Sequence, residues 1–246
     1  MAFLARSFGL ANRVAGSVFS PLVKWFSDGA IRKPVYEFRI SRLRPGAIAD
    51  FLDLTNKFIG IRKQTATLRG FWTSGVGDLN ETFQLWEYDG YEQYDEADIS
   101  LGTNEDWNGI YLKRALPMVE RQQSFLLGGF LCAPFTPPAD VTKAGVYRLW
   151  NIQLRPGALT DWQQKMIIGL KTRKQYSLPV GFFYTLAGDM NRVFHLWRYD
   201  SHTHRADVIN KAMKDPAWME AVNGCNPLTE RMEHLMLKPS VFSPLQ

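Results

Sequence analysis

The sequence predicts an α+β protein made of two tandem βαββαβ domains whose sheets pack face to face as a pseudo-dimer. Three observations support this fold class. One pattern of residues occurs twice in the 246-residue chain, at a displacement of 111 positions. Each copy passes through strand-like and helix-like hydrophobic periods in the same order. The third strand of each copy also has a tryptophan-rich second face, which needs a partner to cover it.

The internal repeat is strong enough to define the domains. Leu43-Arg44-Pro45-Gly46-Ala47 returns as Leu154-Arg155-Pro156-Gly157-Ala158, and 21 of the 55 positions in residues 35–89 are identical in residues 146–200. Such a duplication indicates two domains of one design. We expect the first domain over residues 35–132 and the second over residues 145–246. The linker is residues 133–144, which contain three prolines.

The elements of the first copy follow from periodicity and turn residues. Residues 35–42 alternate as a strand does, and Pro45 suits the first turn of a helix that runs to about Lys63. Strands are expected over residues 69–76 and 82–88, because the Gly/Asp/Asn cluster between them is typical of a hairpin turn. A second helix through Tyr94 and a last strand over roughly residues 121–132 complete a ferredoxin-like unit, which the second copy repeats.

Alternation along the strands predicts which side chains face each other across the sheets. Phe83 and Leu85 form the apolar face that we expect beneath the helices. The opposite face then lines a lumen between the two sheets, where a ligand could bind. Seven candidate residues share that face: Glu37, Arg39, Gln84, Trp86, Arg148, His195 and Trp197. The alternative is that the charged members form satisfied salt bridges inside a packed interface.

Residues 1–27 differ in composition from the rest of the chain. They contain no acidic residue, three basic residues and four serines, with apolar residues at helical spacing. This pattern predicts a mitochondrial transit peptide, and an amphipathic disordered tail is the alternative. The leader carries much of the net charge of +5. The remainder is too evenly balanced to predict nucleic-acid binding.

The sequence shows no pattern that predicts a reactive or metal centre. Two cysteines exclude a disulfide framework and a four-cysteine zinc site. His202 and His204 lie two positions apart, so they do not share a helix face. Gly75 and Gly77 fall in a hairpin and not at the start of a helix, which excludes a phosphate loop. We therefore predict no catalytic residue, no metal and no cofactor. The longest uncharged stretch, residues 122–139, contains three prolines, so we expect no transmembrane segment.

The repeated motifs resemble those of the NIPSNAP family. The resemblance is carried by the duplicated Leu-Arg-Pro-Gly-Ala turn, by the Phe-Gln-Leu-Trp-Glu-Tyr-Asp and Phe-His-Leu-Trp-Arg-Tyr-Asp strands, and by the Phe242-Ser243-Pro244-Leu245 ending. It extends from Val35 to the C-terminus and is greatest to a divergent branch that ends in Ser-Phe-Ser-Pro-Leu, where Val241 replaces the first Ser. The resemblance implies a pair of dimeric α/β-barrel domains and a mitochondrial location, in the matrix or at the surface, with the cytosol as the alternative.

The resemblance also implies a function. Better-studied members of the family are non-enzymatic and act as adaptors or signals in mitochondrial quality control (mitophagy), where they recruit autophagy adaptors and Atg8-type proteins. Such a protein has protein partners and forms homo- or hetero-oligomers with other family members, and the family brings no catalytic residue with it. Two alternatives remain. One is a ligand-binding or vesicle-traffic protein without turnover, and the other is a monooxygenase-like enzyme that uses the inter-sheet lumen.

One short segment has the form of an Atg8-interaction motif. Trp107 and Ile110 are an aromatic and an aliphatic residue three positions apart, and Glu105 and Asp106 precede them. A motif of this kind binds by adding a strand while two pockets take its apolar side chains. Trp107 also matches Trp218 in the second copy, so the alternative interpretation is a structural anchor that both domains share.

Overall fold

A computed structural model of the protein describes residues 34–246. The predicted transit peptide, residues 1–27, lies outside the described residues. The first repeat contains four strands, two helices and a run of short helical turns. These are β1 Val35–Leu43, α1 Ile48–Lys63, β2 Thr67–Val76, β3 Glu81–Tyr88, α2 Tyr91–Thr103, a π-helical turn Asp106–Leu112, an α-helical turn Lys113–Ala115, a 3-10 turn Leu116–Met118 and β4 Val119–Gly129.

The second repeat follows the same order, with an α-helix in place of the π-helical turn. Its elements are β5 Val146–Leu154, α3 Leu159–Arg173, β6 Pro179–Ala187, β7 Arg192–Tyr199, α4 His202–Ala212, α5 Pro216–Cys225, a 3-10 turn Asn226–Leu228 and β8 Thr229–Pro239. Residues 130–145, which connect the repeats, contain no helix or strand. Both repeats belong to one compact unit.

The eight strands close into one antiparallel barrel in the order β1-β3-β2-β8-β5-β7-β6-β4. Two of the neighbouring pairs join the repeats to each other. β2 pairs with β8, where Ser74 lies opposite Leu237, and β4 pairs with β6, where Leu127 lies opposite Thr185. The sheets of the two repeats therefore hydrogen-bond edge to edge, as well as facing each other. The predicted fold class is confirmed.

The segments after β4 and β8 form further hydrogen bonds between the two repeats. Beyond β4, the amide of Thr136 donates to the carbonyl of Val180 in the second repeat at 2.7 Å. Beyond β8, the amide of Ser240 donates to the carbonyl of Phe71 in the first repeat at 2.9 Å. The amide of Phe71 in turn donates to Ser243 Oγ at 3.0 Å. Each repeat thus satisfies backbone groups of the other.

The interior of the barrel is filled with apolar side chains from both repeats. Phe83 and Leu85 lie in this interior cluster with their counterparts Phe194 and Leu196, and Leu245 from the C-terminal segment joins them. The predicted facing of the strands was therefore wrong, because Phe83 and Leu85 point inward and not towards the helices.

Seven candidate residues lie on the outer face of the barrel, beneath the helices, instead of in a lumen: Glu37, Arg39, Gln84, Trp86, Arg148, His195 and Trp197. Glu37 contacts Arg62 of α1, and Trp197 lies beneath Arg173 of α3. The physical reason is that both faces of each sheet are buried. The helices cover one face and the opposite wall of the barrel covers the other, so alternation alone does not tell them apart.

The repeats differ by one residue, and a π-helical turn accommodates it. In the first repeat Asn104 Oδ1 accepts a hydrogen bond from the amide of Trp107 at 2.8 Å, and in the second Asp215 Oδ1 accepts from the amide of Trp218 at 3.1 Å. From these residues to the matched prolines of the next turns, the first repeat is one residue longer. A π-helical turn is a common way to insert a residue into a helix.

Splitting the chain after Pro137 tests the mutual dependence of the repeats. Each fragment lacks the strand that completes its sheet edge, so we expect residues 34–137 and 138–246 to aggregate or remain unfolded when expressed alone. Co-expression should yield a 1:1 complex, measured by size-exclusion chromatography with light scattering and by native mass spectrometry. Two soluble monomeric fragments with native-like circular dichroism would contradict the barrel.

Candidate functional site

A buried carboxylate in β1 organises the outer face of the first repeat. Glu37 is 1% exposed. It accepts hydrogen bonds from Arg62 of α1, from Arg39, from the Tyr88 hydroxyl at 2.9 Å and from Ser124 Oγ at 2.7 Å. Burial opposes ionisation of this carboxyl, but the charges of Arg62 and Arg39 outweigh burial and lower its pKa to about 2. Glu37 is therefore a fully paired anion.

The aromatic members of the candidate set lie against the same charge cluster. The guanidinium of Arg62 lies 4.2 Å from the ring centroid of Trp86. The Trp86 indole donates to Gln84 Oε1 at 3.1 Å. The structure thus brings Glu37, Gln84 and Trp86 together in the packed layer beneath α1, and not in the lumen where the sequence analysis placed them.

The second repeat has the opposite charge at the equivalent position. Displacement by 111 residues carries Glu37 onto Arg148 and Arg62 onto Arg173. Arg148 is 8% exposed and Arg173 is 3% exposed. Two buried guanidinium groups therefore occupy the positions that hold an ion pair in the first repeat.

Neutral groups are the only hydrogen-bond partners of these arginines among the described residues. Arg148 Nη2 lies 2.7 Å from His234 Nδ1, and Arg173 Nη2 donates to the Tyr199 hydroxyl at 3.1 Å. Arg173 also stacks on Trp197, 4.3 Å from its ring centroid. Within residues 34–246, Arg148 Nε and Arg173 Nη1 are buried without a hydrogen-bond partner. Buried donors without partners are uncommon in folded proteins.

The charges of this cluster follow from burial and from neighbouring cations. Burial lowers the pKa of Arg148 to about 10, and burial also lowers the pKa of Arg173. Burial, together with the charges of Arg148 and Arg205, lowers the pKa of His234 to about 4. At neutral pH both arginines are cationic and His234 is neutral, so the cluster carries two positive charges.

A cavity of about 190 Å³ lies between this cluster and helices α4 and α5. Its floor contains the two arginines with His234 and Tyr199, and its other walls are apolar and aromatic. Among the described residues that line it, none is Asp or Glu. The lining residues are Arg148, Trp150, Arg173, Trp197, Tyr199, Ile209, Ala212, Met213, Trp218, Met219, Val222 and His234.

His195 lies in this repeat but is sealed in an aromatic stack. Its ring is parallel to that of Phe182 at a centroid distance of 3.5 Å, and the rings of Trp150 and Trp162 lie at 5.6 Å and 5.1 Å. Burial lowers the pKa of His195 well below its ordinary value, with contributions from His234 and Arg148. The imidazole is a neutral packing group, and it does not line the cavity.

A second cavity, of about 380 Å³, lies at one end of the barrel. Its lining is strongly charged, and its charged residues other than Arg121 form ion pairs. Arg42 pairs with Glu81 at 3.2 Å, and Arg192 pairs with Asp189 at 2.7 Å. Asn151 donates to Glu233 at 3.0 Å. The side chains that point into the barrel are therefore apolar along most of each strand and become polar where the strands reach solvent.

The segment with the form of an Atg8-interaction motif is folded as a π-helical turn. Trp107 is 8% exposed and packs in the core beneath the first-repeat helices, whereas Ile110 is 41% exposed. Strand addition requires an extended segment with both apolar side chains accessible. In this conformation Trp107 serves as a structural anchor, as does Trp218 in the second repeat.

Residues 34–246 contain neither of two further classes of site. Within that range there is no group of three or more His, Cys, Asp or Glu residues placed to hold a metal ion. No helix in the same range is long and apolar enough to cross a membrane.

Comparison with known proteins places this architecture in a family. The NIPSNAP family model matches the chain twice, over residues 36–133 and 147–244. The chain belongs to the NIPSNAP family. Its relatives include human Protein NipSnap homolog 3A, 29% identical over 86% of this chain and 85% of the relative. Mouse Protein NipSnap homolog 3B is 29% identical over 99% of this chain and all of the relative. The sequence resemblance is thereby confirmed.

Solved structures share the fold of this NIPSNAP protein at low sequence identity. An anthrone oxidase-like protein superposes with a TM-score of 0.66 and 10% identity, over 86% of this chain and 94% of its own. A putative monooxygenase from Lactobacillus acidophilus superposes with a TM-score of 0.60 and 8% identity, over 84% and 94%. At such identities the likeness concerns the fold alone.

Sequence analysis of this NIPSNAP chain missed four residues of the two clusters. Arg62, Arg173, Tyr199 and His234 complete the polar layers on the outer face of the barrel. The signal was present in the aligned repeats. Arg62 and Arg173 are identical at matched positions, while their partner changes from Glu37 to an arginine. The change from Glu37 to Arg148, beside an arginine that both repeats keep, shows where the electrostatics of the two repeats differ.

Substituting Glu37→Gln should strongly destabilise this NIPSNAP protein. The change leaves buried Arg62 without its counter-charge, so we expect a loss of about 3–5 kcal/mol in the free energy of unfolding at neutral pH. Urea denaturation followed by circular dichroism measures it. The matched control is Asp78→Asn, which removes an exposed partner of Arg42 and should cost less than about 1 kcal/mol. Equal effects of the two substitutions would contradict the role of Glu37.

The same carboxylate predicts a pH dependence of stability. Its pKa falls from a reference value of 4.5 to about 2 in the folded protein. The stabilisation is therefore fully present above pH ~4.5 and is lost as the pH falls towards ~2, with a magnitude of about 3 kcal/mol. The stability difference between the native protein and Glu37→Gln should shrink steadily over this range. A difference that stays constant from pH 7 to pH 2.5 would refute the assignment.

Proposed function

We propose that this protein is a non-enzymatic mitochondrial member of the NIPSNAP family that acts as an adaptor or signal in mitochondrial quality control. Family membership supports this role, and the acid-free, serine- and arginine-containing segment of residues 1–27 supports the location. Its partners are proteins, among them autophagy adaptors, Atg8-type proteins and other members of the family.

The burial and the pKa values of the candidate reactive side chains support a protein without enzymatic activity. A general base or nucleophile must reach its substrate and have a suitable pKa. Glu37 is an anion held by two arginines, and His195 is enclosed by aromatic rings. Burial raises the pKa of Cys225 to about 11, and burial also raises the pKa of Cys132. These groups stabilise the fold and are poorly suited to attack a substrate.

The filling of the barrel interior counts against an enzyme that works in the inter-sheet lumen. Five aromatic side chains that are less than 2% exposed occupy it, namely Trp72, Phe83, Phe125, Tyr147 and Phe194. A substrate pocket for a drug-sized molecule needs roughly 300 Å³ or more. The charged residues that line the larger cavity at the barrel end, apart from Arg121, are held in ion pairs. A role carried by the surface of the protein fits this arrangement better.

Import into isolated mitochondria tests the proposed location. The full chain should give a shortened product that is protected from added protease, and protection should require the membrane potential. A chain that begins at Asp28 is the matched control, since it lacks the basic amphipathic segment, and it should remain unprocessed outside. Absence of a shortened product from the full chain would overturn processing of a transit peptide.

Proximity labelling in cells tests the adaptor role. The full chain, fused to a labelling enzyme, should enrich autophagy adaptors or Atg8-type proteins at least about tenfold more after mitochondrial depolarisation than before it. The same chain without residues 1–27 should lose this enrichment, because it is not held at the organelle. Identical partner lists before and after depolarisation would contradict a signalling role.

A further inference from the structure

The second repeat has a buried charge imbalance that the first repeat does not have. Isolated buried charges are costly, so folded proteins normally pair them. The first repeat obeys this rule, because Glu37 neutralises Arg62. In the second repeat Arg148 and Arg173 have no carboxylate partner among the described residues. Each has a buried nitrogen without a hydrogen-bond partner, as Arg62 also has, but here no counter-charge accompanies it. The unpaired charge faces a cavity, and this distinguishes it from a packing defect.

The cavity has two chemically different parts. The two arginines, His234 and Tyr199 form a polar end. Opposite it, Ile209, Met213 and Met219 of α4 and α5 form an apolar wall together with Val222. Met213 is exposed at the rim, so the cavity opens to solvent between the two helices.

We propose that this cavity is a binding site for a small organic anion, a monocarboxylate with a short apolar body. The carboxylate lies between Arg148 and Arg173, which both line the cavity, and accepts hydrogen bonds from their guanidinium groups. The guanidinium fork suits a carboxylate because it donates two parallel hydrogen bonds. The body of the ligand packs against the methionines and the aliphatic side chains of α4 and α5.

The size of the ligand follows from the volume. A cavity of about 150 Å³ holds benzene with its six non-hydrogen atoms, so about 190 Å³ encloses about eight. Aromatic monocarboxylates and straight-chain acids of about eight carbons slightly exceed this number, so the end of their apolar body reaches the open rim beside Met213. Two methionines in the wall add adaptability, since their side chains adjust to ligands of different shape.

The ligand supplies the negative charge that Glu37 supplies in the first repeat, since Arg148 occupies the position equivalent to Glu37. Its carboxylate supplies from outside the counter-charge that the sequence supplies internally at the matched position. The occupied second repeat thus has the same charge pattern as the first. This inference is independent of the proposed adaptor function, since it concerns a site on the opposite repeat from Trp107 and requires no protein partner.

Isothermal titration calorimetry on the full chain, with octanoate as the probe, tests the proposal. Octanoate should bind with a stoichiometry of one and should raise the midpoint of thermal unfolding. Octan-1-ol, which has the same apolar body without the charge, should bind at least about tenfold more weakly. Inorganic phosphate should give no comparable shift, because it lacks the apolar body.

Three substitutions separate the site from general effects of charge. Arg148→Glu rebuilds the Glu37–Arg62 arrangement, so it should raise the thermal midpoint without ligand and weaken octanoate binding by at least about tenfold. Arg148→Met removes the cation without adding an acid and should also weaken binding. Arg155→Glu changes the net charge equally at an exposed turn and should leave octanoate binding unchanged.

Specific outcomes would overturn the proposal. Undetectable octanoate binding to the unsubstituted chain at millimolar concentration would remove the site. Full binding by a folded Arg148→Met variant would show that the arginine pair does not hold the ligand. Equal stabilisation by phosphate and octanoate would show that the arginines bind inorganic anions. It would refute the proposal that the ligand has an apolar body.

Discussion

Closure of the barrel through the β2–β8 and β4–β6 pairs is the constraint on which the rest of the structure depends. A four-stranded βαββαβ sheet alone would leave two edges and one broad face open to solvent. Cross-repeat pairing uses these edges, and closure buries the inner faces against one another. As a result each strand is buried on both sides, and every polar group on the helix-covered face needs a partner within a thin layer. The carboxylate of Glu37 meets that requirement with protein partners, whereas the Arg148 cluster leaves guanidinium nitrogens without a partner among the described residues.

Much of the fold could be predicted from the sequence because the information lies in local periodicity and in the repeat. The Leu-Arg-Pro-Gly-Ala turns, the hairpin turns and the order of the elements are encoded within short segments. The facing of the strands is not encoded in this way. β3 has Phe83 and Leu85 on one face and Trp86 and Tyr88 on the other, and both faces are apolar enough to be buried. Which face of β3 points into the barrel depends on long-range contacts such as that of Glu37 with Arg62. The alternation of residues along a strand does not reveal these contacts.

The candidate site was therefore only partly predictable. The sequence identified Arg148, Trp197 and His195 as members of one layer, which the structure brings together beside α3. It did not distinguish their environments. His195 is enclosed by stacked rings, whereas Arg148 borders a cavity whose helical walls come from residues more than fifty positions further along the chain. Duplication preserved the backbone and the arginine of the first helix, and a single charge reversal gave the second repeat a different electrostatic character.

The segments exchanged between repeats affect the time at which the protein can fold during synthesis. β2 of the first repeat obtains its outer neighbour from β8, and Phe71 bonds to Ser240 and to Ser243, which lies 172 positions further along the chain. The first repeat cannot complete its sheet while the second is still being translated. A nascent or truncated chain consequently presents an open strand edge, which is the kind of surface that chaperones bind. Synthesis of β8 and of the segment that follows it, and not emergence of the first domain, is the event that permits closure.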